Sequence, residues 1–322
     1  MDGIKRLFRQ LGITAVFFSA CAGLALAHPL ADYEPVEWVP YRIDYQGWIT
    51  VNATVNGDGP NDFIVDSGAT ITSAFANLAE RQDFLPADRG PIRILGLAST
   101  EALPAYSLGD ISVGRLRLED QIGVVLPDWA PPNTPPQGVL GLDLLTRYTV
   151  MVDEEERRVK FYAQDAQPDR KVKGWTRTRL TPLQVADQDT PLYQIDVNIR
   201  GLDIPCVVDL GASGTIFNGP AFRAMSSGLR INSYGHRSST SASHLNDIFD
   251  NTSTAQAVKI ARVKIGGARW RNEVFLVYDA EVFRALGAGA KPFCLVGMDL
   301  FTDRSLIFDF ANEYFYIGPE PK

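Results

Sequence analysis

The sequence predicts an all-β protein of two similar lobes, and three observations carry that prediction. The chain contains a diverged internal duplication in three ordered blocks. Its apolar residues fall in short alternating runs punctuated by Gly and Pro turns, the pattern of half-buried strands. Helical periodicity is confined to short stretches near residues 74–81, 142–147, 220–225 and 280–286.

The first block of each copy reads strand, turn, apolar strand, aspartate. In the first copy, residues 48–55 alternate, Asn56-Gly57 turns, and Phe63-Ile64-Val65 leads into Asp66-Ser67-Gly68-Ala69-Thr70. In the second, residues 192–199 alternate, Arg200-Gly201 turns, and Cys206-Val207-Val208 leads into Asp209-Leu210-Gly211-Ala212-Ser213. The second block is Val139-Leu140-Gly141-Leu142-Asp143, repeated as Leu295-Val296-Gly297-Met298-Asp299. The third is a closing hairpin, residues 150–161 and again 306–317. Asp66 and Asp209 are 143 positions apart, whereas Gly141 and Gly297, and Asp153 and Asp309, are each 156 apart. The second copy therefore carries a net insertion of 13 residues between its first two blocks.

This spacing divides the chain into a targeting segment 1–27, an N-terminal segment 28–45, a first lobe 46–163, a polar connector 164–189 and a second lobe 190–322. Lys5, Arg6 and Arg9 precede an apolar run, 13–27, that ends Ala25-Leu26-Ala27; this is the pattern of a cleaved secretory signal, and the run is short for a membrane span. Phe18-Ser19-Ala20-Cys21 fits a lipid-attachment box poorly. A soluble, exported, monomeric protein is expected. The formal charge is −7, and without the first ten residues (net +2) it is −9, which disfavours nucleic acid and anionic surfaces as partners. After signal removal two cysteines remain, Cys206 and Cys294, an even pair and a disulfide candidate in an oxidising compartment.

The chemistry points to the paired aspartates. An isolated carboxylate at the end of a buried apolar strand is costly. Two of them, brought together by a pseudo-twofold axis, can share one proton, so that one acts as base on a water while the other donates to a carbonyl. Gly68 and Gly211 allow the tight turn after each Asp, and Gly141 and Gly297 suit places where a second backbone passes close by. Asp143 and Asp299 open short apolar segments and are expected to cap helices; Asp153 and Asp309 are expected to shape the closing hairpins.

The pattern apolar-apolar-Asp-[Ser/Thr]-Gly-Ala followed by apolar-apolar-Gly-x-Asp-x-[Leu/Phe] resembles the retropepsin-like aspartyl proteases, here with two such units fused as in pepsin-like enzymes. The resemblance covers residues 46–318 and is to periplasmic aspartyl proteases of Gram-negative bacteria. It implies a bilobal fold of two β-barrels, a cleft between them, a polypeptide substrate and no cofactor. The proton-sharing behaviour outlined above is itself the established property of the aspartic-protease pair. By position, Asp66 and Asp209 match the catalytic aspartates, and Ser67 matches a hydroxyl that ties one active-site loop to the other. Gly96, Leu97 and Ala98, between strands expected at 92–95 and 102–108, match a flap over the substrate. In the family fold the strands of Cys206 and Cys294 run side by side, within reach of a disulfide. Leu210 departs from the pattern, since Ser or Thr is usual there, and one interlobe hydroxyl bond should be missing.

Other hydrolytic chemistries have little support. His28, His236 and His244 show no zinc spacing, and Gly211-Ala212-Ser213-Gly214 brings its second Gly one residue too early for a nucleophile elbow. No Gly-rich loop precedes a Lys-Ser or Lys-Thr pair. The remaining alternative keeps the cleft without the reaction: a silent peptide-binding protein, with Leu210 as its support.

Overall fold

The computed structural model describes residues 28–128, 135–226, 242–246, 249 and 251–320. The targeting segment, with Cys21, and His236 lie outside the described residues.

Each copy of the repeat builds one barrel in the same strand order. In the first, Ile49–Val55 pairs with Asp58–Val65, which runs parallel to Gly138–Leu140. That strand pairs with Ser73–Phe75, and Leu116–Leu126 and Ala105–Val113 follow. Thr54 and Val55 then meet Ser112 and Ile111 and close the ring. In the second, Leu192–Ile199, Leu202–Val208, Cys294–Val296, Ile216–Phe217, Ala268–Val277 and Thr252–Ile265 repeat the order, with closure through Val197↔Ile265. Closure leaves no strand edge open in a six-stranded ring. The hairpin turns sit where Asn56-Gly57 and Arg200-Gly201 predict them, all four residues at positive φ.

One sheet joins the lobes. The closing hairpins meet along the pseudo-twofold, Val150↔Phe308, Met151↔Ile307 and Val152↔Leu306. Arg158–Tyr162 and Glu37–Ile43 extend this sheet on one side, and Tyr314–Ile317 and Thr176–Arg179 on the other. The N-terminal segment and the connector therefore each contribute a strand. Asp153 and Asp309 shape their hairpin turns, accepting the backbone N–H of Glu156 and Asn312 at 3.1 Å each. Asp153 also pairs with Lys160 at 2.7 Å, both buried, so neither charge is left uncompensated.

The helices are short: Ala76–Gln82, Leu142–Leu145, Gly219–Ser226 and Glu281–Ala285. No helix among the described residues is long and apolar enough to cross a membrane.

Candidate active site

Each aspartate ends a strand that lies parallel to its partner in the barrel, and the two loops that follow are built alike. The Asp66 N–H donates to Leu140 O at 3.0 Å and the Asp209 N–H to Val296 O at 2.9 Å. Gly68 N–H donates to Asp66 Oδ1 at 2.6 Å, and Gly211 N–H to Asp209 Oδ1 at 2.9 Å. The loops approach so closely that a β-carbon on Gly68 would lie 2.5 Å from the Asp209 carboxyl carbon, and one on Gly211 would collide with the Asp66 carboxyl group. This contact requires glycine at both positions.

The two carboxyl groups come together on the cleft floor, where each influences the ionisation of the other. Burial raises the pKa of Asp66, while hydrogen bonds from the backbone of Gly68, Ala69 and Gly211 oppose the rise. Asp209 is raised well above the ordinary value, first by burial and then by the charge of Asp66. The pair therefore retains a shared proton at a pH where an isolated aspartate has lost its own.

Ser67, 2% exposed, ties the loops together. Its hydroxyl donates to Val208 O at 2.8 Å and accepts the Leu210 N–H at 3.1 Å. Leu210, 1% exposed, lies in the apolar core and offers no reciprocal bond.

The cleft above the pair encloses about 510 Å³. Its walls come from both lobes and are mainly apolar, with Ile64, Phe75, Leu126, Ile216, Leu276 and Leu295 among them. Apart from the aspartates, the one charged residue of the wall among the described residues is Arg93. The hairpin of Ile92–Leu95 and Thr100–Leu103 roofs it; Gly96 and Leu97 line the cleft, and Ala98 does not. The tip is latched to the second lobe. Leu97 O accepts the Glu281 N–H at 2.9 Å, and Ser99 Oγ accepts Asn251 Nδ2 at 3.1 Å. A β-carbon on Gly96 would stand 2.9 Å from the Phe249 ring. Phe249 and Asn251 border the hairpin Ala242–Asn246 with Thr252–Ile265, at the end of the stretch that carries the second copy's insertion.

A profile described as aspartyl protease matches residues 51–144 and 195–300, more than half of the sequence. The chain belongs to the aspartyl protease family. No curated protein matches it. Among solved structures, conglutin gamma, a unique basic 7S globulin from lupine seeds, is similar at a TM-score of 0.52 and 9% identity, over 89% of this chain and 96% of that one. The basic 7S globulin from soybean has a TM-score of 0.48 at 12% identity, over 87% and 93%. The likeness to conglutin gamma shows the bilobal fold alone.

Within this aspartyl protease frame, the structure brings together the residues singled out for the cleft floor and corrects two expectations besides that for Ala98, which does not line the cleft. Asp66, Ser67, Gly68, Leu210 and Gly211 meet at the cleft floor. Cys206 and Cys294 are disulfide-bonded between paired positions of two parallel strands. Asp143 and Asp299 do not cap their helical turns; Gly141 and Gly297 occupy those positions. The carboxylates instead reach back 71 and 84 residues to Thr72 and Thr215. Each accepts a threonine N–H at 2.9 Å and hydroxyl at 2.6 Å. The same hydroxyls accept the Gly141 and Gly297 N–H at 3.0 and 3.1 Å. Each carboxylate thus fastens the far end of an active-site loop, which is worth more than a cap because it satisfies buried donors. The second correction concerns the flap. Its returning strand ends at Leu103, because Pro104 lacks an N–H, and the next strand begins at Ala105.

Thr72, Thr215, Gln188, Phe249 and Asn251 escaped sequence reasoning. Thr72 and Thr215 had a signal, since both stand six residues after their aspartate. The other three have no counterpart in the repeat.

Proposed function

We propose that this protein is an aspartic endopeptidase acting on extended polypeptide segments of exported proteins, or on exposed parts of membrane proteins, in the periplasm. The observation that supports this reading best is the buried Asp66–Asp209 pair, held by matched loops on the floor of a roofed, mainly apolar cleft. An ionised carboxylate of the pair takes a proton from a water, whose oxygen attacks the peptide carbonyl carbon. The protonated partner donates to the carbonyl oxygen, giving a neutral tetrahedral diol. Transfer of a proton to the amide nitrogen then lets the C–N bond break, and the two products are an amine and a carboxylic acid. The raised pKa of the pair keeps its proton available for the donating role. The targeting pattern of residues 1–27 motivates the periplasmic location.

Leu210 favours a second reading, a silent peptide-binding protein, because it removes one of two hydroxyl ties between the loops. Cleavage of a mixed peptide library by wild type and Asp66→Asn separates the two. Turnover lost in the variant supports the peptidase; wild-type protein that binds peptides and leaves them intact overturns it.

A further inference from the structure

The connector between the lobes carries a group that neither repeat contains and that reaches into the cleft. Gln188 stands in the cleft wall, in the stretch between Thr181–Leu183 and Leu192–Ile199. Its side-chain amide uses both ends. Oε1 accepts the Thr70 hydroxyl at 3.0 Å, and Nε2 donates to Arg93 O at 2.8 Å. Thr70 lies four residues after Asp66 on the active-site loop, and Arg93 lies in the first strand of the flap. One planar amide therefore joins the loop that carries an aspartate to the hairpin that covers it.

The connector around Gln188 is itself fixed. The Gln188 N–H donates to Val185 O at 3.3 Å, and Gln184 Nε2 donates to Gln188 O at 2.8 Å. Val185 is buried in the core. From the flap, Arg93 Nη2 donates to Ala186 O at 2.7 Å and stands 3.4 Å from Asp187. Ser213, at the position in the second copy that matches Thr70, is exposed, and among the described residues no hydrogen bond joins it to the connector.

We infer that Gln188 is a positioning residue, which holds the base of the flap in register with the Asp66 loop so that flap closure and the geometry at the aspartates are set together. The inference rests on the peptidase reading for its kinetic consequence, but not for the tie itself. Glutamine suits the task because it supplies a donor and an acceptor at once. Glutamate retains only the acceptor and adds a negative charge to the wall of the cleft that holds the pair. Alanine removes both bonds and adds no charge.

The test measures hydrogen exchange over residues 92–103 and the peptide-cleavage constants of wild type, Gln188→Ala, Gln188→Glu and Thr70→Val. We expect exchange in the flap hairpin to rise about tenfold in Gln188→Ala and less in Thr70→Val, with protection of the interlobe strands 306–317 unchanged. We expect kcat/KM to fall about tenfold in Gln188→Ala, mainly through KM, because the flap holds substrate. Gln188→Glu should also move the alkaline limit of activity upward, because a carboxylate stabilises the shared proton; Gln188→Ala should not. Gln188→Ala with wild-type flap exchange and wild-type KM overturns the inference. If Gln188→Ala loses protection throughout the molecule, Gln188→Glu and Thr70→Val decide by the same two readouts. A protein that cleaves no peptide, yet whose flap exchange rises in these variants, keeps the tie and discards the peptidase reading.

Discussion

The two active-site loops are nearly superimposable in their bonding and differ in what lies around them. Each aspartate donates to the equivalent backbone carbonyl, neither glycine leaves room for a β-carbon beside the opposite carboxyl group, and both threonines are held by a carboxylate from the second block. The first loop has Ser67, which makes two bonds across the axis, and the second has Leu210, which makes none through its side chain. Asp143 also accepts Gln121 Nε2 at 2.9 Å; among the described residues, the carboxylate of Asp299 receives its threonine and the Leu300 N–H alone. Beneath the loops the contrast repeats. Three residues before each aspartate, the first lobe places Phe63 opposite Gly138 and the second places Cys206 opposite Cys294. The same register is filled by an aromatic ring over a glycine in one lobe and by a covalent link in the other. The polar frame is common to both copies, while the packing outside that frame has diverged.

The largest effect should come from the shared part. Asp66→Asn and Asp209→Asn should each lower peptide cleavage by about 10²–10⁴-fold or more, the range of a lost acid or base. Activity surviving in Asp209→Asn alone would break the equivalence and make the second loop a scaffold. Stability should move the other way. The folded protein raises the Asp209 pKa, so this site's stability contribution is complete below the unfolded value near 4 and is lost as pH rises through the folded value. Asp209→Asn, neutral at every pH, should melt with wild type at about pH 4 and above it at about pH 7. The gap should be about 1.4 kcal/mol for each pH unit by which ionisation is displaced.

The two fillings beneath the loops come next. Replacing both Cys206 and Cys294 by alanine should cost about 2–4 kcal/mol in a denaturant melt. Gly138→Ala should cost about 1–3 kcal/mol, since the new methyl meets the Phe63 ring. If Gly138→Ala is neutral, the first lobe is packed less tightly there than its partner.

Ser67→Ala leaves Val208 O and Leu210 N–H without their buried partner and should cost about 1–3 kcal/mol, with a larger fractional loss of cleavage than of stability. A fully active, equally stable variant would remove the hydroxyl tie from the account of this site. The smallest effect is expected from Leu210→Thr. It gives the second loop a hydroxyl like that of the first but gives up apolar burial, so activity should hold within about threefold while the unfolding free energy falls by about 1–2 kcal/mol. A rise in both would show that the second loop had lost a tie it can still use.

The sequence by itself determined the two barrels, the pairing of Asp66 with Asp209, the need for Gly68 and Gly211, and the turns at Gly57 and Gly201. These follow from local chemistry repeated in the same order in both copies, together with the family resemblance that the repeat carries, and a repeat shows which positions share one environment. It determined less about the partners of those positions. Asp143 and Asp299 look like helix caps because an acidic residue before a short apolar segment is the local signature of a cap; their actual partners lie in another loop, brought near by parallel strand pairing. Gln188, Phe249 and Asn251 stand outside the repeat, in the connector and beside the inserted stretch, and carry no periodicity. Their contacts to Thr70, Gly96 and Ser99 form only when the interlobe sheet sets one lobe against the other. The chain could announce the pair of carboxylates, because each ends its own strand. Only the tertiary structure could decide what covers them, because that roof is built from segments more than 90 residues apart whose meeting is fixed by the packing of whole lobes.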